Sequence, residues 1–244
     1  MKTVASASAA ELLSLDAADP VVRLEVQPLW QRLLAGQLAR ERLTELAVTF
    51  YPSLAGTARY LFSSKVSTLA LDDGKAVFRD LYDALTVPEA DADHGWRVLA
   101  ESLGASPGQL DEVLARPSSE VTDYVAVTRG FGHRSAHEAV GAAWGVERQL
   151  PALWGQVAQA LARHYQVPEP AVRYLRYQGR IAGDVERRIA GLVDRYLGDP
   201  WKAFEARRAA RECVWAWKSI GERILSGLAS AGPPGPPAAT HPAH

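Results

Sequence analysis

Apolar residues recur every three to four positions from about residue 20 to about residue 230 of this chain. Strict apolar/polar alternation between turn signals, the mark of strands, is nearly absent. The pattern predicts an all-α protein, a bundle of roughly seven to nine helices. Residues 1–19 read as a flexible lead-in, 20–230 as one helical domain, and 231–244 as a disordered Pro/Gly-rich tail, AGPPGPPAATHPAH. Asp19-Pro20 and Asp199-Pro200 share one start signal, an Asp cap before a proline whose missing N–H is no loss in a first turn. Gly36 and Gly104 read as stops, and Ser106-Pro107 and the serine pair of PSSEVTDYVAVTRGFG as further starts. Pro52 should bend or break the long segment that begins near Ala39. Three long helical segments close the chain, at 133–165, 169–198 and 199–228.

Length and composition narrow the class. With 244 residues, 48 % apolar and 23 % charged, the chain can bury one sizeable core. Its net charge of -1 argues against broad electrostatic binding of nucleic acid. The single cysteine, Cys213, allows neither an internal disulfide nor a cysteine-based zinc site, which suits a reducing cytoplasm. The N-terminus lacks a continuous apolar signal-peptide core, and no run reaches membrane-spanning length.

Nucleotide-loop, zinc-protease and serine-hydrolase motifs are absent. What remains is a set of acids and histidines on helices. Three carboxylates, Glu89, Asp91 and Asp93, precede His94; they suit either half a metal site or a loop whose Asp93 caps the next helix. Glu147 interrupts an apolar helix and must be held by a partner or ligate a cation. His133 and His137 are four apart, a one-face spacing that can bind metal or simply mark an exposed helix start. Asp184 lies about 60° round the helix from Ile181, at the edge of the apolar stripe. Arg180 and Arg187 are both within reach of it. That triad is either a salt-bridge cluster or a pocket for an anionic substrate.

Four stretches, in order, resemble the haem-oxygenase-like superfamily: PLWQRLLAGQLARERLTELAVTFYPSLAGTARYL, EADADHGWRVLAESLG, AVGAAWGVERQLPALWGQVAQALARHY and YLRYQGRIAGDVERRIAGLVDRY. That group includes pyrroloquinoline quinone synthase, the thiaminase-like TenA proteins and the iron-containing redox enzymes. The resemblance implies a haem-oxygenase-like helical bundle, with a homodimer as one possible assembly. In its diiron branch the ligands would fall on an acid at Glu89 or Asp91, on His94, on Glu147, and on a His-x-x-x-Asp-x-x-His helix. His94, Glu147 and Asp184 match, but Arg180 and Arg187 stand where the flanking histidines would be. A guanidinium cannot ligate iron and repels it. The resemblance therefore implies one iron, held by His94 with Glu89, Glu147 and Asp184, or no metal. Glu147, Asp184, Arg180 and Arg187 would then form the catalytic set.

The activity implied is an oxygen-using oxidoreductase, taking dioxygen and a small anionic or aromatic biosynthetic intermediate. Trp30, Tyr51, Tyr60, Trp144, Tyr177 and Trp215 would supply either aromatic lining or plain core. A non-catalytic ligand-binding or accessory protein of the same fold is the alternative. A thiaminase-like hydrolase would need Cys213 as its nucleophile.

Overall fold

The structure, a computed structural model, describes residues 23–54, 57–69, 73–85 and 91–227. The lead-in, the tail, Asp19-Pro20 and Glu89 lie outside these residues. Among the described residues there are helices and no strands. We number the α-helices α1 Pro28–Leu34, α2 Arg40–Leu54, α3 Thr57–Thr68, α4 Asp73–Ala84, α5 Ala92–Ser102, α6 Pro107–Ala115, α7 Ser119–His133, α8 Ala136–Ala142, α9 Leu150–Tyr165, α10 Glu169–Tyr196 and α11 Pro200–Ser226. A π-helical turn, Ala143–Glu147, follows α8.

Local chemistry explains most of these boundaries. Ser106 and Gln109 form a reciprocal capping box at α6, Ser118 caps α7, and Asp199 accepts from the N–H groups of Trp201 and Lys202 at α11. Gly36 and Gly104 follow α1 and α5 in left-handed conformations that glycine adopts without strain. The segment with Pro52 is divided into α2 and α3, and α2 ends at Leu54, two residues after the proline. Asp91, and not Asp93, caps α5 by accepting from the His94 N–H. Segment 133–165 is also divided. Ser135 and Glu138 build a new capping box, so His133 closes α7 and His137 opens α8. The two histidines therefore do not share one helix. His133 Nε2 meets the Tyr60 hydroxyl at 2.7 Å, while His137 Nε2 meets Glu205 Oε2 at 2.6 Å.

The core is built on large aromatics. Trp30, Trp96, Trp154 and Trp217 are all buried and touch through centroid distances of 5.3 to 6.4 Å. Each such pair contributes about 0.5–1.5 kcal/mol beyond the area it buries. Two crossings of small residues bring backbones unusually close. Gly141 and Gly145 lie against Ala206 and Ala210 of α11, where an added Cβ would stand 2.1 and 2.6 Å from their carbonyl oxygens. Gly155 of α9 meets Gly179 of α10 in the same way, with an added Cβ on Gly179 2.7 Å from the Gly155 Cα. These crossings fix the π turn against α11 and fix α10 against α9. Of the expected aromatic lining, Trp30 and Tyr51 are core, whereas Trp215 is 69 % exposed on α11 with Trp201 and Phe204. Among the described residues no helix is long and apolar enough to cross a membrane.

Candidate functional site

The polar centre of the bundle is Glu147. It ends the π turn, a one-residue widening of the helix that re-aims the side chain from the path a regular α-helix would give. The close fit of Gly141 and Gly145 on α11 holds that turn in place. Glu147 is only 8 % exposed. Its one side-chain hydrogen bond among the described residues is long, from the Tyr124 hydroxyl to Oε1 at 3.5 Å. Burial pushes its pKa up to about 7, and the Tyr124 hydroxyl opposes that rise only in part. Near neutral pH both protonation states of this carboxyl are therefore populated, unlike those of an exposed glutamate.

Its surroundings come from three other helices. Tyr124 of α7 is buried, and burial and the Glu147 charge raise its phenol well above the ordinary range. Tyr174 of α10 is raised for the same two reasons, and the Arg59–Asp91 ion pair, 3.6 Å apart, adds smaller opposing effects. Cys213 of α11 is buried, with Sγ 4.0 Å from Thr128 Oγ1. Burial raises the thiol's pKa far above the neutral range. The group is thus held as a thiol, the form unsuited to nucleophilic attack. The arrangement can hold a neutral or charged carboxyl beside two neutral phenols and a thiol, with the Trp217 ring 5.1 Å from that of Tyr124.

The remaining expected site residues lie elsewhere. Asp184 does not join Glu147. Its carboxylate is 43 % exposed and accepts from Arg187 at 3.1 Å and from Arg188 at 2.7 Å. Arg188 also reaches Asp80 at 2.7 Å. Arg180 is exposed and lies over the Tyr177 ring at 5.6 Å, so Arg188 takes the place expected for it at Asp184. Arg187 is 79 % exposed. These groups form a solvated salt-bridge cluster, worth at most about 1 kcal/mol per pair. The catalytic grouping of Asp184, Arg180 and Arg187 with Glu147 is corrected accordingly. The physical reason is rotation: Asp184 sits at the edge of the apolar stripe, and it turns toward water and arginine rather than inward.

His94 is exposed in the first turn of α5. Of the expected iron ligands among the described residues, His94 faces solvent, Glu147 is enclosed, and Asp184 is paired with arginines. Among the described residues no group of three or more His, Cys, Asp or Glu side chains is placed to hold a metal ion. The neighbour of Glu147, Arg148, turns away to Glu186 at 3.0 Å and lies over Trp144.

A second polar cluster joins α3, α8 and α11. Buried Lys65 donates to the Arg134 carbonyl, and Glu138 accepts from Arg208 at 3.0 Å. Ser135 Oγ and Glu205 both meet the same nitrogen of His137, at 3.0 and 2.6 Å. A relay needs both ring nitrogens, so this is a helix-capping network and not a nucleophile triad.

No family model matches the chain, and no curated protein matches it either. Solved structures do. One is a TenA homologue from Pseudomonas syringae pv. tomato, with a TM-score of 0.73 and 15 % identity, covering 88 % of this chain and 91 % of that one. The fold is thus TenA-like, an all-α bundle among the described residues. The sequence reading missed Tyr124, Thr128 and Tyr174, which look like ordinary core positions until the helices are packed.

Proposed function

We propose that this protein is an enzyme of small-molecule metabolism that uses Glu147 as its acid–base group on a TenA-like scaffold. One observation carries the reading: a carboxyl enclosed in the bundle, whose one side-chain hydrogen bond among the described residues is a long 3.5 Å contact with Tyr124, so that burial pushes its pKa up to about 7. A purely structural role would be served better by glutamine or leucine, because an enclosed carboxyl destabilises the fold whenever it ionises. A carboxyl poised near operating pH can both take and return a proton. Tyr124 and Tyr174, kept neutral by burial, would orient the bound molecule.

The haem-oxygenase-like resemblance adds an oxygen-using form of this chemistry. A reduced substrate gives up two electrons to dioxygen, and its protons leave by way of Glu147. Oxidised substrate and hydrogen peroxide result. The expected substrate is a small ring compound with an ionisable hydroxyl or amino group.

The test screens hydroquinones and aminophenols for binding, dioxygen uptake and peroxide release, with Glu147→Gln in parallel. Dioxygen uptake that disappears in the variant supports the oxidase form. Turnover without dioxygen that depends on Glu147 supports the acid–base reading alone. Binding without turnover identifies a ligand-binding protein instead. Turnover indifferent to Glu147→Gln refutes the proposal.

A further inference from the structure

We infer that Gln178 is a second ligand-binding group of the Glu147 site, and that the molecule bound there presents a carboxamide- or lactam-like face. The inference rests on the reading of Glu147 as the centre of the site. Gln178 lies on α10 one turn after Tyr174, and residues four apart on a helix share a face. Tyr174 stands within the electrostatic reach of Glu147. Two turns beyond Gln178, Glu186 holds Arg148, the residue after Glu147. Gly179, the residue after Gln178, lies against Gly155 and the Pro151 carbonyl, so this stretch of α10 packs on the segment that begins four residues after Glu147.

Gln178 is 3 % exposed, and its Nε2 has no hydrogen-bond partner among the described residues. The fully buried indole N–H of Trp217, whose ring lies 5.1 Å from that of Tyr124, also has none. Two unmet buried donors, one on the helix that carries Tyr174 and one against the Tyr124 ring, are a poor design for a closed core. Leucine or methionine at 178 would fill similar volume without an unmet amide. The amide is accounted for when a bound molecule supplies the missing acceptor.

The complement of a primary amide is a group with a carbonyl and an N–H side by side. Glu147 adds an acceptor when ionised and a donor when protonated. A carboxylate in the ligand would face repulsion from ionised Glu147, so the fitting face is neutral.

Benzamide is the probe, with benzoate and benzyl alcohol as comparators, titrated calorimetrically into the full chain at pH 6 and pH 8. Saturable binding of benzamide in preference to both comparators is expected. Gln178→Leu should weaken it by about tenfold or more, the loss of one good hydrogen bond. Without ligand, Gln178→Leu should melt no lower than the wild type, because its donor was unmet. Failure of the wild type to prefer benzamide overturns the inference, and so does undiminished binding by the variant. A lower melting temperature of Gln178→Leu does too, since the amide would then have a structural partner. The underlying reading is checked separately with Glu147→Gln. If that variant abolishes the pH dependence of benzamide binding while Gln178→Leu binds normally, Glu147 stands and Gln178 falls. If neither variant changes binding, both fall.

Discussion

Replacing Glu147 with glutamine should make the protein more stable in mild alkali while leaving its stability in acid nearly unchanged. The carboxyl titrates at about 7 in the fold against 4.5 for the free side chain, and burial is the chief cause. One pKa unit corresponds to about 1.4 kcal/mol, so ionising the folded protein costs about 3 kcal/mol. The sign follows from proton binding. Between pH 4.5 and 7 the folded chain holds a proton that the unfolded chain has lost. The associated stability is therefore complete below the unfolded value, falls as pH rises through 7, and is gone above about pH 8. Glutamine keeps the shape and cannot ionise. The neighbouring titratable groups, Tyr124, Tyr174 and Cys213, all have raised pKa values and stay neutral through this window. Thermal or urea unfolding of both proteins from pH 4.5 to 8.5 gives the comparison. The wild-type deficit should grow from near zero to about 3 kcal/mol, roughly 6–12 °C in Tm for a domain of this size. A flat difference across that range would refute the reasoning. A variant less stable at every pH would show that ionised Glu147 has a stabilising partner.

Tyr124→Phe removes the one hydrogen bond that lowers the Glu147 pKa, so carboxyl infrared or NMR titration should show its midpoint move upward from about 7. Gly141→Ala places a Cβ 2.1 Å from the Ala206 carbonyl oxygen and should cost about 1–3 kcal/mol in urea unfolding while displacing the π turn. Asp184→Asn should change stability by no more than about 2 kcal/mol and leave ligand binding untouched, because the carboxylate is the partner in two surface ion pairs. Cys213 should resist iodoacetamide in the native protein and react fully in urea, as followed by mass spectrometry, since its thiol is buried and kept protonated.

The periodic apolar pattern determined the helical class by itself, because 3.6-residue spacing leaves no other way to bury those side chains together. The caps at Ser106 and Asp199, and a serine cap for α7, were equally legible, since capping is settled within a few residues. Glu147 was legible as an acid out of place in an apolar run. Its partners were not, because Tyr124, Tyr174 and Cys213 come from helices far apart in the chain. Helical spacing gives each residue an angle on its own helix and says nothing of how that helix is rotated against the next. Asp184 shows the difference most clearly: an edge position can turn inward or outward. Packing turned it toward Arg187 and Arg188 at the surface. The π turn was hidden for the same reason. It arises where Gly141 and Gly145 meet Ala206 and Ala210, a contact between segments some sixty-five residues apart, and that contact aims Glu147 into the interior.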